Sequence, residues 1–237
     1  MQVKTKAIVI SALKYQEKSL IVKCFTETDG LKSYFVHNAF SGKNNKHKAA
    51  YFQPLNILEI EAVHKNRGTL EIFKEVRLAS AYRTINSDVV KSTIIIFLSE
   101  VLHCSIREEE KNSDLFHFLE ASFLWLDTHS DISNFHLVLL LEITKFLGFY
   151  PDSSDSSLPF FEMTEGVFTA FQSLSCLSEY ETGLFRKLLG LRIGNSRQIF
   201  AGPERQLLLK IMLDYYSFHL DGFRRPRSLE VLREVFS

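Results

Sequence analysis

Near residue 80 the hydrophobic pattern of this chain changes period, and no single regular architecture satisfies both halves. Before that point the apolar runs are short. Residues 3–10 are rich in β-branched side chains and begin with alternation, and residues 19–26 and 31–37 follow on either side of Thr28-Asp29-Gly30. An Asp-Gly pair between two such runs marks a hairpin, because Gly supplies the positive φ that the turn requires. Residues 56–63 and 69–76 form a second hairpin pattern around Lys65-Asn66-Arg67-Gly68. Five short strands with no long helix among them predict a five-stranded OB-type β-barrel over residues 1–80, with an SH3-like barrel as second choice.

After Ala81 apolar residues recur at helical spacing, which predicts an all-helical C-terminal domain over residues 81–237. Helices are expected over 89–104, from Ser113, over 132–147, 179–189 and 203–219, and from about Ser228. Gly148 and Pro151 stop the third of these. Beyond the polar loop 152–157, Glu165-Gly166 turns a small β-hairpin insertion of about residues 158–170. The fold class is therefore α+β in two domains.

Three cysteines, Cys24, Cys104 and Cys176, lie far apart with no CxxC pair, which suits buried thiols in a reducing compartment. All three are expected in the core. Lys4 and Lys6 precede an apolar run that ends at Lys14 without a small-residue cleavage site, so a strand explains it better than a signal peptide. No apolar stretch approaches the roughly 18 residues of a membrane span. A cytoplasmic protein with no membrane association is expected. The zero net charge hides three blocks: +6 over residues 1–80, −11 over 81–181 and +5 over 182–237. The first block can attract phosphate while the whole chain stays neutral.

Catalytic signatures are missing. Ser41-Gly42-Lys43 lacks the rest of a Walker loop, and neither GxSxG nor HExxH occurs. Glu100 and His103 have the ExxH spacing of a di-metal helix, but the motif is not repeated. No enzyme activity, cofactor or metal is expected. More informative is the stretch 35–51, where Lys43, Lys46, His47 and Lys48 lie between Phe40 and Tyr51. Single-strand binders combine cations for the backbone with aromatic faces for the bases. Lys14, Lys32, Lys65 and Arg67 would add charge from neighbouring turns. A solvated lysine loop above core aromatics would have the same composition. A second cluster, Arg224-Arg225-Pro226-Arg227, precedes the last helix and suits an acidic partner or a solvated linker equally.

Together these residues resemble the RecO recombination mediators. The likeness rests on Ala7-Ile8-Val9, Glu17, the stretch from Phe25-Thr26 to Gly30, the basic loop 39–48, Gln53-Pro54-Leu55 and Arg67-Gly68-Thr69-Leu70. It continues through Leu147-Gly148-Phe149-Tyr150-Pro151, Leu189-Gly190-Leu191-Arg192, residues 215–220 and residues 227–232, in order over nearly the whole chain. The resemblance implies an OB-fold before a helical domain. It also implies binding of single- and double-stranded DNA, annealing of complementary strands, and loading of RecA with RecR onto strands coated by single-stranded-DNA-binding protein. Recognition of that protein's acidic C-terminal tail is implied as well, and Lys210, Arg224, Arg225 and Arg227 are the candidates for it. DNA-binding candidates are Lys14, Lys32, Phe40, Lys43, Lys46, His47, Lys48, Lys65 and Arg67. Many members carry two CxxC pairs after the Gly-x-x-Pro landmark. This chain has no Cys over 152–171, and the hairpin residues Phe160, Phe161, Val167 and Phe168 are expected to pack in their place without zinc. An OB-fold RNA-binding adaptor is the alternative function.

Overall fold

The computed structural model describes residues 1–40, 49–65, 70–106, 111–194 and 199–236. The chain divides into two compact units: Met1–Thr128 with Pro226–Ser228, and His129–Arg225 with Leu229–Ser237.

The first unit opens with a closed barrel of β1 (Gln2–Tyr15), β2 (Ser19–Thr26), β3 (Gly30–Val36), β4 (Ile57–Val63) and β5 (Glu71–Leu78), in the order β1-β2-β3-β5-β4. All neighbours are antiparallel except β3 and β5, which close the barrel in parallel. That closure fits the OB arrangement rather than an all-antiparallel SH3-like barrel. β1 runs five residues beyond its sequence-predicted end. Its first half pairs with β4 and its second half with β2, and a bulge between Val9 and Ser11 lets one strand serve both. Inward residues from every strand, including Val9, Val22, Cys24, Tyr34, Leu58, Ile60 and Phe73, form one core. Within it the Tyr34 and Phe73 rings stack at 4.0 Å, and the Tyr34 hydroxyl meets Nε2 of buried His64 at 2.7 Å. Burial pushes the Tyr34 phenol well above its ordinary range, so it stays neutral.

The unit continues with a 3-10 turn (Ala49–Phe52) between β3 and β4, then α1 (Val89–Ser105) and α2 (Ser113–Thr128). Asp88 caps α1, its side chain accepting from the Lys91 N–H at 3.0 Å. Asp127 fixes the segment leaving the barrel. Its carboxylate accepts the backbone N–H groups of Arg83, Thr84 and Ile85 at 2.8–3.0 Å. Burial raises the Asp127 pKa, but these backbone donors outweigh it and leave the group below the usual carboxylate range.

The second unit holds α3 (Phe135–Leu147), β6 (Phe160–Glu162), β7 (Val167–Thr169), α4 (Glu179–Leu189), α5 (Gly202–His219) and α6 (Leu229–Val235). α3 ends at Gly148 in the left-handed region, φ +84°, as its sequence requires. α4 opens with a capping box of Ser178 and Glu181. A two-stranded sheet this short has no independent stability. Here Phe161 and Phe168 are buried, and Phe161 packs on Phe185 at 4.6 Å and on Tyr215 at 5.9 Å. Val167 faces solvent and Phe160 is half-buried, so only the inward half of the expected hydrophobic set packs. Cys24 is buried as expected, whereas Cys104 and Cys176 are only partly covered. Cys104 nears the end of α1 and Cys176 lies in the loop before α4, where covering is incomplete.

Candidate nucleic-acid interface

Side chains alternate across a strand, so each strand that lines the core with one parity shows the other to solvent. Leu20 and Val22 face inward on β2, as do Tyr34 and Val36 on β3 and Phe73 on β5. Their neighbours Ile21, Phe35 and Ile72 must therefore face out. The register places Leu13 opposite Ile21, Ile21 opposite Phe35, and Phe35 beside Ile72. An apolar row thus crosses four strands on the outside of the barrel. Leu13 is 63% exposed and Ile72 51%. Tyr15, 45% exposed, meets Phe35 edge to face at 6.0 Å, and His37 lies 6.2 Å from the same ring. Ser11, Lys23 and Ser33 form the next outward row.

Connections flank this face. At one side the tight β1–β2 turn, Gln16-Glu17-Lys18, is exposed, with Gln16 at φ +55°. At the other the row ends on Ile72, the second residue of β5, just after the β4–β5 connection. The root of that connection is fixed: the Lys65 backbone N–H donates to both oxygens of buried Glu71, at 3.0 and 2.8 Å.

The candidates from sequence fall unevenly. Lys14 and Phe40 come together, with Nζ 5.9 Å from the ring centroid, both exposed at the barrel rim. Such a pair contributes about 0.5–1 kcal/mol at an exposed site. The Lys65 side chain is exposed. Lys32 is not in a turn. It sits within β3 opposite Cys24 and is buried, which removes it from the exposed phosphate-binding set. Lys43, Lys46, His47, Lys48 and Arg67 lie outside the described residues.

Cations elsewhere on the barrel are engaged. Lys4 pairs with Glu61 at 3.5 Å, Arg77 with Glu59 at 2.7 Å, and Lys74 donates to Gln2 at 2.6 Å. Lys6 binds Glu120 of α2 at 2.7 Å, and that hydrogen bond raises its pKa. Among the described residues, Lys14, Lys18 and Lys65 form no ion pair. Lys14 and Lys18, at the end of β1 and in the β1–β2 turn, therefore place positive charge near exposed Tyr15 and Phe40, and cations beside ring faces are what a polyanion with flat bases requires.

Sequence reasoning missed Leu13, Tyr15, Ile21, Phe35 and His37. A signal for two of them was present: Leu20-Ile21-Val22 and Tyr34-Phe35-Val36 are apolar at both parities. A barrel strand with one face in the core must present the middle residue of such a triplet to solvent.

Lys210 on α5 and Arg224 are exposed in the second unit, while Arg225 forms an ion pair with Asp214. Arg227 belongs to the first unit, within Pro226–Ser228. That segment is held by Glu100, whose Oε2 accepts the N–H and hydroxyl of Ser228 at 3.0 and 2.9 Å. Glu100 thus has a structural task. The pKa of His103 is lowered by partial burial and then by Lys23. Among the described residues, no three His, Cys, Asp or Glu side chains converge as metal ligands would. No helix among them is long and apolar enough to cross a membrane.

Residues 1–82 match the family model described as Recombination protein O N terminal, and residues 86–229 match Recombination protein O C terminal. The chain is 64% identical over 237 residues to the DNA repair protein RecO of Flavobacterium johnsoniae, with both chains covered in full. It is 65% identical to the protein of that name from Flavobacterium psychrophilum and 41% identical to that from Christiangramia forsetii, again over the full length of each.

Proposed function

The chain belongs to the RecO family of DNA repair proteins, and on that footing we propose that it is a non-catalytic recombination mediator. It binds single- and double-stranded DNA through the outer face of the barrel and anneals complementary strands. With RecR it helps load RecA onto DNA coated by single-stranded-DNA-binding protein. Its workplace is the cytoplasm, at the nucleoid. The observation that carries this reading is the outward row Leu13–Ile21–Phe35–Ile72, with Tyr15 beside it and Lys14 over Phe40 at its rim.

Lysines near the row neutralise phosphates and release counterions, so affinity falls as salt rises. Exposed rings stack on bases whatever their identity, which suits a protein that must act on any sequence. Holding two strands on one surface lowers the entropic cost of their encounter, and base pairing supplies the remaining free energy. Lys43, Lys46, His47, Lys48 and Arg67 are further phosphate contacts in this reading. The acidic tail of the coating protein is taken by the basic residues of the last helices, with Lys210 and Arg224 available and Arg225 exchanging Asp214 for the incoming carboxylates.

The test is annealing of complementary strands already coated with the cognate single-stranded-DNA-binding protein, with and without this chain. Acceleration that weakens with salt is expected. No acceleration despite intact binding to bare strands would overturn the mediator reading. Tighter binding to RNA than to DNA of the same sequence would favour the RNA adaptor, since the 2′-OH is what such a site would read.

A further inference from the structure

Between Lys145 and Arg186 the chain carries no Lys, Arg or His, but six carboxylates: Asp152, Asp155, Glu162, Glu165, Glu179 and Glu181. Such a stretch offers no cation of its own to a phosphate. It nevertheless shows the most exposed large apolar side chains of the second unit. Phe171 is 84% exposed, Leu174 fully exposed and Tyr180 62% exposed.

These residues stand on a fixed segment. The loop after β7 closes on itself: the Cys176 thiol donates to the Phe171 carbonyl at 3.7 Å, and the Cys176 N–H to the Ser173 carbonyl at 3.3 Å. It is tied to β6 by a bridge between Cys176 and Glu162, by the Met163 N–H on the Ser175 carbonyl at 3.1 Å, and by the Leu177 N–H on the Phe161 carbonyl at 2.9 Å. Tyr180 follows at once in the first turn of α4. A polar surface loop has no need of three large apolar groups held outward. Together they expose on the order of 400 Å² of apolar surface, the size of a functional patch on a soluble protein.

We propose that residues 171–180 are a docking surface for a protein segment that presents large apolar side chains among lysines or arginines. Charge chooses the occupant. Exposed Glu165 and Glu179 lie in the same stretch as the apolar groups, and the Arg186 guanidinium that reaches the hairpin is turned onto the Ser156 and Leu158 carbonyls. An acidic tail or a nucleic acid is repelled, whereas a basic segment gains at the rim while its apolar anchors cover Phe171 and Leu174. This surface thus serves a partner opposite in charge to those the barrel face and the last helices would take.

The test uses the full chain and three fluorescein-labelled twelve-residue peptides. One alternates leucine pairs with lysine pairs, one replaces lysine by glutamate, and one replaces leucine by serine. The first should bind at least tenfold tighter than either of the others and shift the amide resonances of residues 171–180. A Phe171→Ser/Leu174→Ser variant should lose at least tenfold of that affinity while keeping its DNA affinity, which reports an intact fold. Equal binding of the serine peptide, or unchanged affinity of the variant, would overturn the proposal. So would a wild-type dimer in sedimentation that the variant abolishes, since a second copy would then be the occupant.

Discussion

His136 lies on α3 with 2% of its surface exposed, its ring 4.9 Å from Phe236 and its Nδ1 without a hydrogen-bond partner. Burial, and then the nearby Arg205 cation, lower its pKa to about 3. In the unfolded chain an imidazole titrates near pH 6.5. Between these values the unfolded state binds a proton that the folded state refuses, so stability falls as pH falls. The contribution is complete above about pH 7.5, and by pH 5 about 2 kcal/mol is lost. The slope steepens to about 1.4 kcal/mol per pH unit and ends near pH 3. His136→Leu keeps an apolar body of similar volume and removes the titration. Urea unfolding followed by the near-ultraviolet dichroism of the tyrosines, at pH 7.5, 6 and 5, gives the stability difference between the two proteins. That difference should move by about 2 kcal/mol in favour of the variant from pH 7.5 to 5. Asp127, whose folded pKa is depressed, acts in the same direction but only below the ordinary carboxylate range, outside this window. A pH-independent difference would refute the reasoning, because it would mean that folded His136 takes up its proton as readily as the unfolded chain does.

At the barrel, Tyr15→Ala and Phe40→Ala should each weaken single-strand affinity by about 1–3 kcal/mol if their rings stack bases; fluorescence anisotropy at fixed salt reads this, and wild-type affinity in both would move the interface elsewhere. Replacing Lys43, Lys46 and Lys48 together by Ala should flatten the salt dependence by up to about 2 units of slope, from roughly 0.7 per phosphate contact. An unchanged slope would exclude that loop. Asp127→Ala strands three backbone donors and should cost about 3–5 kcal/mol in urea unfolding, whereas Asp127→Asn, which keeps one acceptor oxygen, should cost about 1–2 kcal/mol; equal losses would show that the donors find water instead. Gly166 has φ +70°, and an added Cβ would lie 2.5 Å from the Tyr215 hydroxyl oxygen. Gly166→Ala should therefore cost about 2–4 kcal/mol, and a Tyr215→Phe background should recover the clash but not the backbone strain.

Local signals made most of the fold legible. Asp29-Gly30, Gly148 and Glu165-Gly166 each demand a particular backbone at one place, and the strands and helices bounded by them follow within a few residues. Barrel closure was less legible. The second half of β1 reads as a mixed polar run, because residues 11–18 are exposed or half-exposed and gain strand geometry only from pairing with β2. The candidate site divides in the same way. Composition finds cations, but accessibility is a tertiary property, so Lys32 and Lys14 look equivalent in sequence and differ completely in burial. Leu13 and Tyr15 escaped notice for the opposite reason, since exposed apolar residues on a strand read as core until the register shows which way they face.

Charge summed along the sequence misleads in a similar way. The block 81–181 carries a net −11, which would suggest an acidic surface. Several of its carboxylates are committed inside their own units: Asp88 to the start of α1, Glu100 to Ser228, Glu120 to Lys6, Asp127 to the backbone nest and Glu142 to Lys145 at 2.6 Å. A carboxylate that accepts such bonds projects little field into solvent, because its partner dipoles and cations cancel it at short range. Among the described residues, Asp155, Glu165 and Glu179 keep exposed carboxylates in the stretch between Lys145 and Arg186, which has no cation of its own. Conversely, Lys14 remains without an ion pair beside exposed Tyr15 and Phe40, whereas Lys4 and Arg77 pair with Glu61 and Glu59 of β4. A chain of zero net charge thus carries regions of opposite charge with exposed apolar residues in each, the combination expected of a binding face rather than of ordinary solvated charge.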